Sequence, residues 1–196
     1  MGASHPTGWG ARQGGGAAVR VLVGHASAHG STVEIAQRIA GVLEQNGLAV
    51  DVLPVRQLGG IEGYDAAVLG SAIHQQAWLP EAMAFVQQHV NELQARPVWL
   101  FSVGMSASLP RPVRTSARTA QDRRLAGALR DLVRPRGHGL FSGVARQEDF
   151  SRWTAVLFRV VGARFGDFRD WDRIEDWARE VAHDLRSASL QTSGGA

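Results

Sequence analysis

Three observations predict an α/β fold with a doubly wound parallel sheet between two helical layers. They are five short apolar runs, the helical patterns between them, and a loop of small and hydroxyl residues where the first run ends. Strands separated by helices join parallel neighbours through right-handed crossovers. Five strands fit the order 2-1-3-4-5, which puts a ligand at the switch point beside strands 1 and 3. A chain of 196 residues, 44% of them apolar, buries one core well and is short for two.

The first strand ends in Val21, Leu22 and Val23, and the loop from His25 to Thr32 opens directly into a helix. That helix shows a capping box, Ser31-x-x-Glu34, and carries Ile35, Ala36, Ile39, Ala40, Val42 and Leu43 on one face. Asn46-Gly47 suits its left-handed C-terminal cap. Strands are expected over 49–55 and, as an unbroken apolar run, over 66–70. Pro80 begins the next helix, with Ala84, Phe85 and Val90 toward the core. A fourth strand covers 97–103, a helix 125–133 and a fifth strand 139–144. Helical patterns over 153–164 and 171–186 follow, the second with Ile174, Trp177, Ala178, Val181 and Leu185 on one side. Tryptophans 99, 153, 171 and 177 read as core residues or helix anchors. The domain is expected over 18–186, with disordered tails at 1–17 and 187–196.

A strand, a tight loop and a helix N-terminus together favour an anion, because the first backbone N–H groups of the helix lack partners and its dipole is positive there. Two phosphate-loop chemistries are excluded. The chain has no lysine, so it has no Walker loop, and the glycines of Gly8-Trp9-Gly10 and Gly14–Gly16 precede the strand instead of following it. A hydroxyl-rich loop holding a phosphomonoester without a cation remains, the manner in which flavin mononucleotide (FMN) is bound. With no cysteine there is no disulfide, thiolate metal site or cysteine nucleophile. His25 and His29 have metal-ligand spacing but lie in a loop with no third ligand nearby, so no metal is expected. No apolar run is long enough to cross a membrane, no signal-peptide segment is seen, and the expected location is cytoplasmic.

In this fold the loops after strands 1, 3 and 4 converge. After strand 3 come Ser71, Ala72, Ile73, His74 and, further on, Trp78; after strand 4 come Ser102, Val103, Gly104 and Met105. Trp78 can stack on a ring or pack against the following helix, and His74 can touch a ligand or simply face solvent. From about Arg20 to Leu185 the chain resembles the flavodoxin-like family of menaquinone-dependent protoporphyrinogen oxidases. The resemblance rests on G-S-T-x-E-I-A at 30–36, G-S-A-I at 70–73, F-S-V at 101–103, the basic stretch after strand 4, and G-D-F-R-D-W-D at 166–172 with Trp177-Ala178. It implies that Ser27, Gly30, Ser31 and Thr32, in a loop completed by Ala28 and His29, hold the FMN phosphate. It likewise implies that Ser71–His74 and Ser102–Met105 frame the isoalloxazine ring. The family loop usually opens with a hydroxyl where this chain has Ala26, a difference worth about 1 kcal/mol.

All 21 basic residues are arginine, and eight of them crowd residues 111–136 against two acids, a net +6 where the whole chain carries +3. This insertion, about 106–136, builds a positive potential beside the expected flavin edge. Such a field stabilises reduced flavin and makes the protein a better oxidant. Arginines also take carboxylates bidentately, and porphyrinogens carry propionates, so Arg114, Arg118, Arg123 and Arg124 are candidate substrate residues. The same stretch also reads as a solvated loop of an arginine-rich proteome. No nucleic acid is expected, since aromatics do not interleave with these arginines. The apolar arc over 151–164 suits either a lipid interface at the inner membrane face, giving access to a quinone, or cover for a sheet. The function expected is FMN-dependent oxidation of a protoporphyrinogen or similar acidic donor with a quinone as acceptor, with no side-chain catalyst assigned. A flavodoxin-type electron carrier and a flavin-free interaction module on the same fold are the alternatives.

Overall fold

A computed structural model of the protein describes residues 18–105, 129, 131–149 and 164–193. Successive side chains of each central strand go to opposite faces, and here both faces are apolar. In β1 (Arg20–Ala26), Val21 and Val23 enter one core and Leu22 the other. In β3 (Ala66–His74), Ala66 and Val68 oppose Ala67 and Leu69; in β5 (Val98–Gly104), Trp99 and Phe101 oppose Leu100. Two-sided burial is the reason these runs carry no polar alternation.

With β2 (Ala49–Pro54) and β6 (Gly137–Ser142) these strands make a parallel sheet in the order β2-β1-β3-β5-β6. Counting only the parallel strands, this is the expected 2-1-3-4-5. A sixth strand, β4 (Ala77–Trp78), pairs antiparallel with the end of β3. Helices α1 (Ser31–Gln45) and α4 (Trp171–Ser193) cover one face, where Ile35, Ile39 and Leu43 share a core with Ile174, Ala178 and Val181. Helices α2 (Pro80–Gln88) and α3 (Val90–Gln94) cover the other through Phe85, Val86 and Leu93. Gly70 has no room for a side chain, since a Cβ there would lie 2.0 Å from the Phe101 ring.

The structure departs from the sequence expectation at several places. Residues 71–74, expected in a loop, extend β3, and the chain turns back through Gln75 and Gln76, both left-handed at φ 49° and 63°. A two-residue turn with both φ positive matches the strand twist, but glutamine does not advertise it as Asn-Gly does. The helix starting at Pro80 breaks at His89 into α2 and α3, and Ala84 is exposed, with Ala82 buried in its place. Helix α4 runs on past Arg186 to Ser193, as no glycine or proline interrupts before Gly194. β2 ends at Pro54, and β6 begins at Gly137 and stops at Ser142. Residues 1–17, most of the basic stretch, and residues 150–163 lie outside the described residues.

Candidate functional site

At the carboxyl edge of the sheet β1 stops at Ala26, and four residues lead to α1. The Ser27 hydroxyl accepts the Gly30 N–H at 3.0 Å and closes a small turn. Gly30 is the N-cap of α1 in left-handed geometry, φ 89°, and its carbonyl accepts the Val33 and Glu34 N–H groups. A Cβ on Gly30 would touch nothing within 4 Å, so its backbone conformation, not crowding, calls for glycine. No side chain caps the helix. The expected capping box does not form: Ser31 lies inside the helix, and the Glu34 carboxylate pairs with Arg169 at 2.5 Å instead.

Two polar side-chain atoms among the described residues are buried without a hydrogen bond, and both flank this loop: Thr32 Oγ1 and His25 Nδ1. Leaving such a group unpaired costs about 1–3 kcal/mol, which a ligand can return. Burial, with the charge of Arg56 second, lowers the His25 pKa from its usual 6.5 and favours the neutral imidazole. His25 lies on the β2 side of the loop, in a small cavity with Ser27, Pro54, Arg56 and Glu81. His29 lies on the other side, so the two histidines diverge.

That other side is a larger, open cleft. The β1–α1 loop contributes Ala28, His29 and Ser31; β3 contributes Ala72, Ile73 and His74; the end of β5 contributes Val103, Gly104 and Met105. Met105 is 40% exposed, the one large apolar side chain presented to solvent among the described residues. Gly143 and Val144, just past β6, complete the wall and were missed in the sequence. A Cβ on Gly143 would sit 2.9 Å from Val103 and 3.0 Å from the Ser31 hydroxyl, so this glycine lets the β6 end close against the loop. A glycine at the carboxyl end of a fifth parallel strand was the available signal.

Ser71, Ser102 and Trp78 lie beneath the cleft, not along it. The Ser71 hydroxyl accepts the Leu79 N–H at 3.0 Å and donates to the Ala72 carbonyl. The Trp78 indole N–H donates to the Ser102 hydroxyl at 2.7 Å, and the same hydroxyl shares a hydrogen bond with His138 Nε2 at 2.9 Å. Trp78 therefore packs, at 3% exposure. Gly30 and Thr32 shape the loop without lining the cleft, and Ser27 lines the smaller cavity. Arg114, Arg118, Arg123 and Arg124 lie outside the described residues.

The far rim is held by a two-stranded ribbon, β7 (Val144–Ala145) against β8 (Gly166–Asp167). Arg169 binds Asp167 through two nitrogens, reaches Glu34 of α1 and stacks 4.6 Å from the Trp171 ring. These bonds from Arg169 are the main cause holding the Asp167 carboxyl below its usual range. Arg146, directly after β7, donates to the His29 carbonyl at 3.4 Å.

A Flavodoxin domain family model matches residues 22–170. Protoporphyrinogen IX dehydrogenase [quinone] of Escherichia coli K12 is 24% identical over 176 residues, covering 84% of this chain and 96% of that protein. Among solved structures, a flavodoxin of Pseudomonas aeruginosa (TM-score 0.54, 13% identity) and oxidised Flavodoxin 2 of Bacillus cereus (TM-score 0.51, 15% identity) each align over 85% of this chain and 99% of their own. The rubredoxin oxygen:oxidoreductase of Desulfovibrio gigas aligns over 86% of this chain at TM-score 0.57 and 12% identity, and the chain spans 36% of its length. These likenesses show the fold.

Proposed function

This chain belongs to the flavodoxin domain family, and on that premise we propose that it binds FMN and is an FMN-dependent oxidoreductase. We further propose that it oxidises a protoporphyrinogen or similar acidic donor with a quinone as acceptor. The observation that carries the reading is the β1–α1 loop, where a left-handed Gly30, an uncapped helix N-terminus and the unpartnered Thr32 hydroxyl adjoin a cleft walled by three further strand ends. The groups present suit a phosphomonoester: backbone donors and hydroxyls with the helix dipole behind them.

FMN, when bound, supplies acceptance and release of two electrons. The protein's residues bind and orient. Ser27, Gly30, Ser31 and Thr32 would hold the phosphate, and Ala72–His74 with Val103–Met105 would bound the ring. The layer of Ser71, Trp78, Ser102 and His138 keeps β3, β5 and β6 in register below it. Donor and acceptor are supported by the Escherichia coli relative, whose name states both, and by the arginines of residues 111–136, which suit propionates. Among the described residues no helix is long and apolar enough to cross a membrane. A quinone acceptor would bring the protein to the inner face of the membrane from the cytoplasm.

Purification with FMN and a turnover assay test this. The reading expects a yellow protein that oxidises protoporphyrinogen in the presence of a quinone. Replacing Arg114, Arg118, Arg123 and Arg124 together by Gln should raise the donor KM and lower the flavin midpoint potential, and added salt should mimic both changes in the parent. A protein that takes up no FMN overturns the flavin reading. A flavoprotein whose kinetics ignore these arginines and salt loses the acidic-donor argument.

A further inference from the structure

Resting on the flavin reading, we propose that Arg146 supplies the countercharge for the FMN phosphate and makes the site select the phosphorylated flavin over riboflavin. A phosphomonoester carries between one and two negative charges at neutral pH. The chain has no lysine, and the loop from Ser27 to Thr32 contains no arginine, so beyond the His29 imidazole the loop brings dipoles and hydroxyls, with no permanent cation, to that charge. The fold delivers a cation from elsewhere. Arg146 follows β7, whose Val144 lines the cleft, and its Nη1 lies 3.4 Å from the carbonyl of His29, in the middle of the loop.

The ribbon fixes this position. Val144 pairs with Asp167 and Ala145 with Gly166, while the Phe168 N–H donates to the Gly143 carbonyl. A neighbouring arginine shows the contrast. Arg169 is 11% exposed at its side chain and spends its guanidinium on Asp167 and Glu34. Asp167, so engaged, acts on Arg146 only as a Coulombic neighbour. Arg146 is an exposed guanidinium whose hydrogen bond to a neutral carbonyl is long and weak. A phosphate oxygen at the same loop is a better acceptor, and the planar fork of donors fits it bidentately.

The test uses the full-length protein, its Arg146→Gln and Arg146→Lys variants, and two probes, FMN and riboflavin, followed by flavin fluorescence at low and high salt. The parent should bind FMN more tightly than riboflavin. Arg146→Gln should weaken FMN about tenfold while leaving riboflavin unchanged, and Arg146→Lys should recover part of the loss. Salt should weaken FMN binding to the parent and barely affect the Gln variant. Equal losses for both flavins would make Arg146 a wall of the pocket and overturn the proposal. So would FMN binding that ignores the substitution, with the flavin reading left standing. A parent that binds neither flavin removes the flavin reading and this inference together.

Discussion

The β1–α1 loop and the β3–β4 hairpin stand side by side at the same sheet edge, and both bring serine and other polar side chains to it, yet they treat their buried polar atoms oppositely. In and beneath the hairpin the buried groups are spent internally: Ser71 on Leu79 and Ala72, Trp78 on Ser102 of β5, and Ser102 on His138 of β6. At the loop, Thr32 Oγ1 and His25 Nδ1 are buried with no partner, and no side chain caps the helix. A satisfied network holds a scaffold; an unsatisfied one stores a cost that a ligand relieves. Serines in the two regions look alike in the sequence, and only their partners separate scaffold from binding site.

The sharpest way to break this comparison is at Trp78. Truncation to Ala removes a buried ring and one of the two partners of the Ser102 hydroxyl, so we expect a loss of about 3–5 kcal/mol in denaturant unfolding. If stability stays near that of the parent, the hairpin is not scaffold. Gly30→Val comes next, forcing a β-branched residue to φ 89°. The expected cost is about 1–2 kcal/mol, with loss of FMN retention and an unchanged far-ultraviolet spectrum.

A matched pair sharpens the contrast further. Ser71→Ala should cost about 1–3 kcal/mol, since the Leu79 N–H loses its acceptor, and should leave FMN affinity nearly intact. Thr32→Val should be neutral or slightly stabilising without FMN, because it deletes an unpaired hydroxyl. It should lower FMN affinity by about tenfold. If the two variants behave alike in unfolding and FMN titration, the division between the regions fails.

The smallest effect expected is a pH dependence from His25. Burial lowers its folded pKa below the usual 6.5, so the unfolded chain binds the proton more readily. The contribution of His25 is complete above that value and is lost as pH falls from it through the folded pKa. Melting temperatures between about pH 5 and 7 should therefore drop more steeply in the parent than in His25→Leu. Parallel curves would show that His25 does not titrate with folding. Asp167, whose folded pKa is depressed, contributes above its usual 3.8 and is lost below that, so it acts in a separate acidic window.

The sequence alone determined the parallel sheet and its order, because two-sided burial leaves unbroken apolar runs such as Val98–Phe101 and amphipathic helices such as Ile35–Leu43. It also located the loop at the end of β1, since hydroxyls and glycine between a strand and a helix have a local cause. Tertiary structure decided the rest. Glutamines at 75 and 76 hid a left-handed turn that turns a presumed loop into strand. Glu34 reads as a local cap, but a stronger partner, Arg169, comes from 135 positions along the chain. Ser71 was drawn inward by the Leu79 N–H just past β4, and Ser102 and Trp78 by partners on other strands, while Gly143 and Arg146 reached the loop only through the packing of β6 and the β7–β8 ribbon. Propensity and periodicity are properties of neighbours in the chain; which buried donor meets which acceptor is set by contacts between distant segments, which no local pattern encodes.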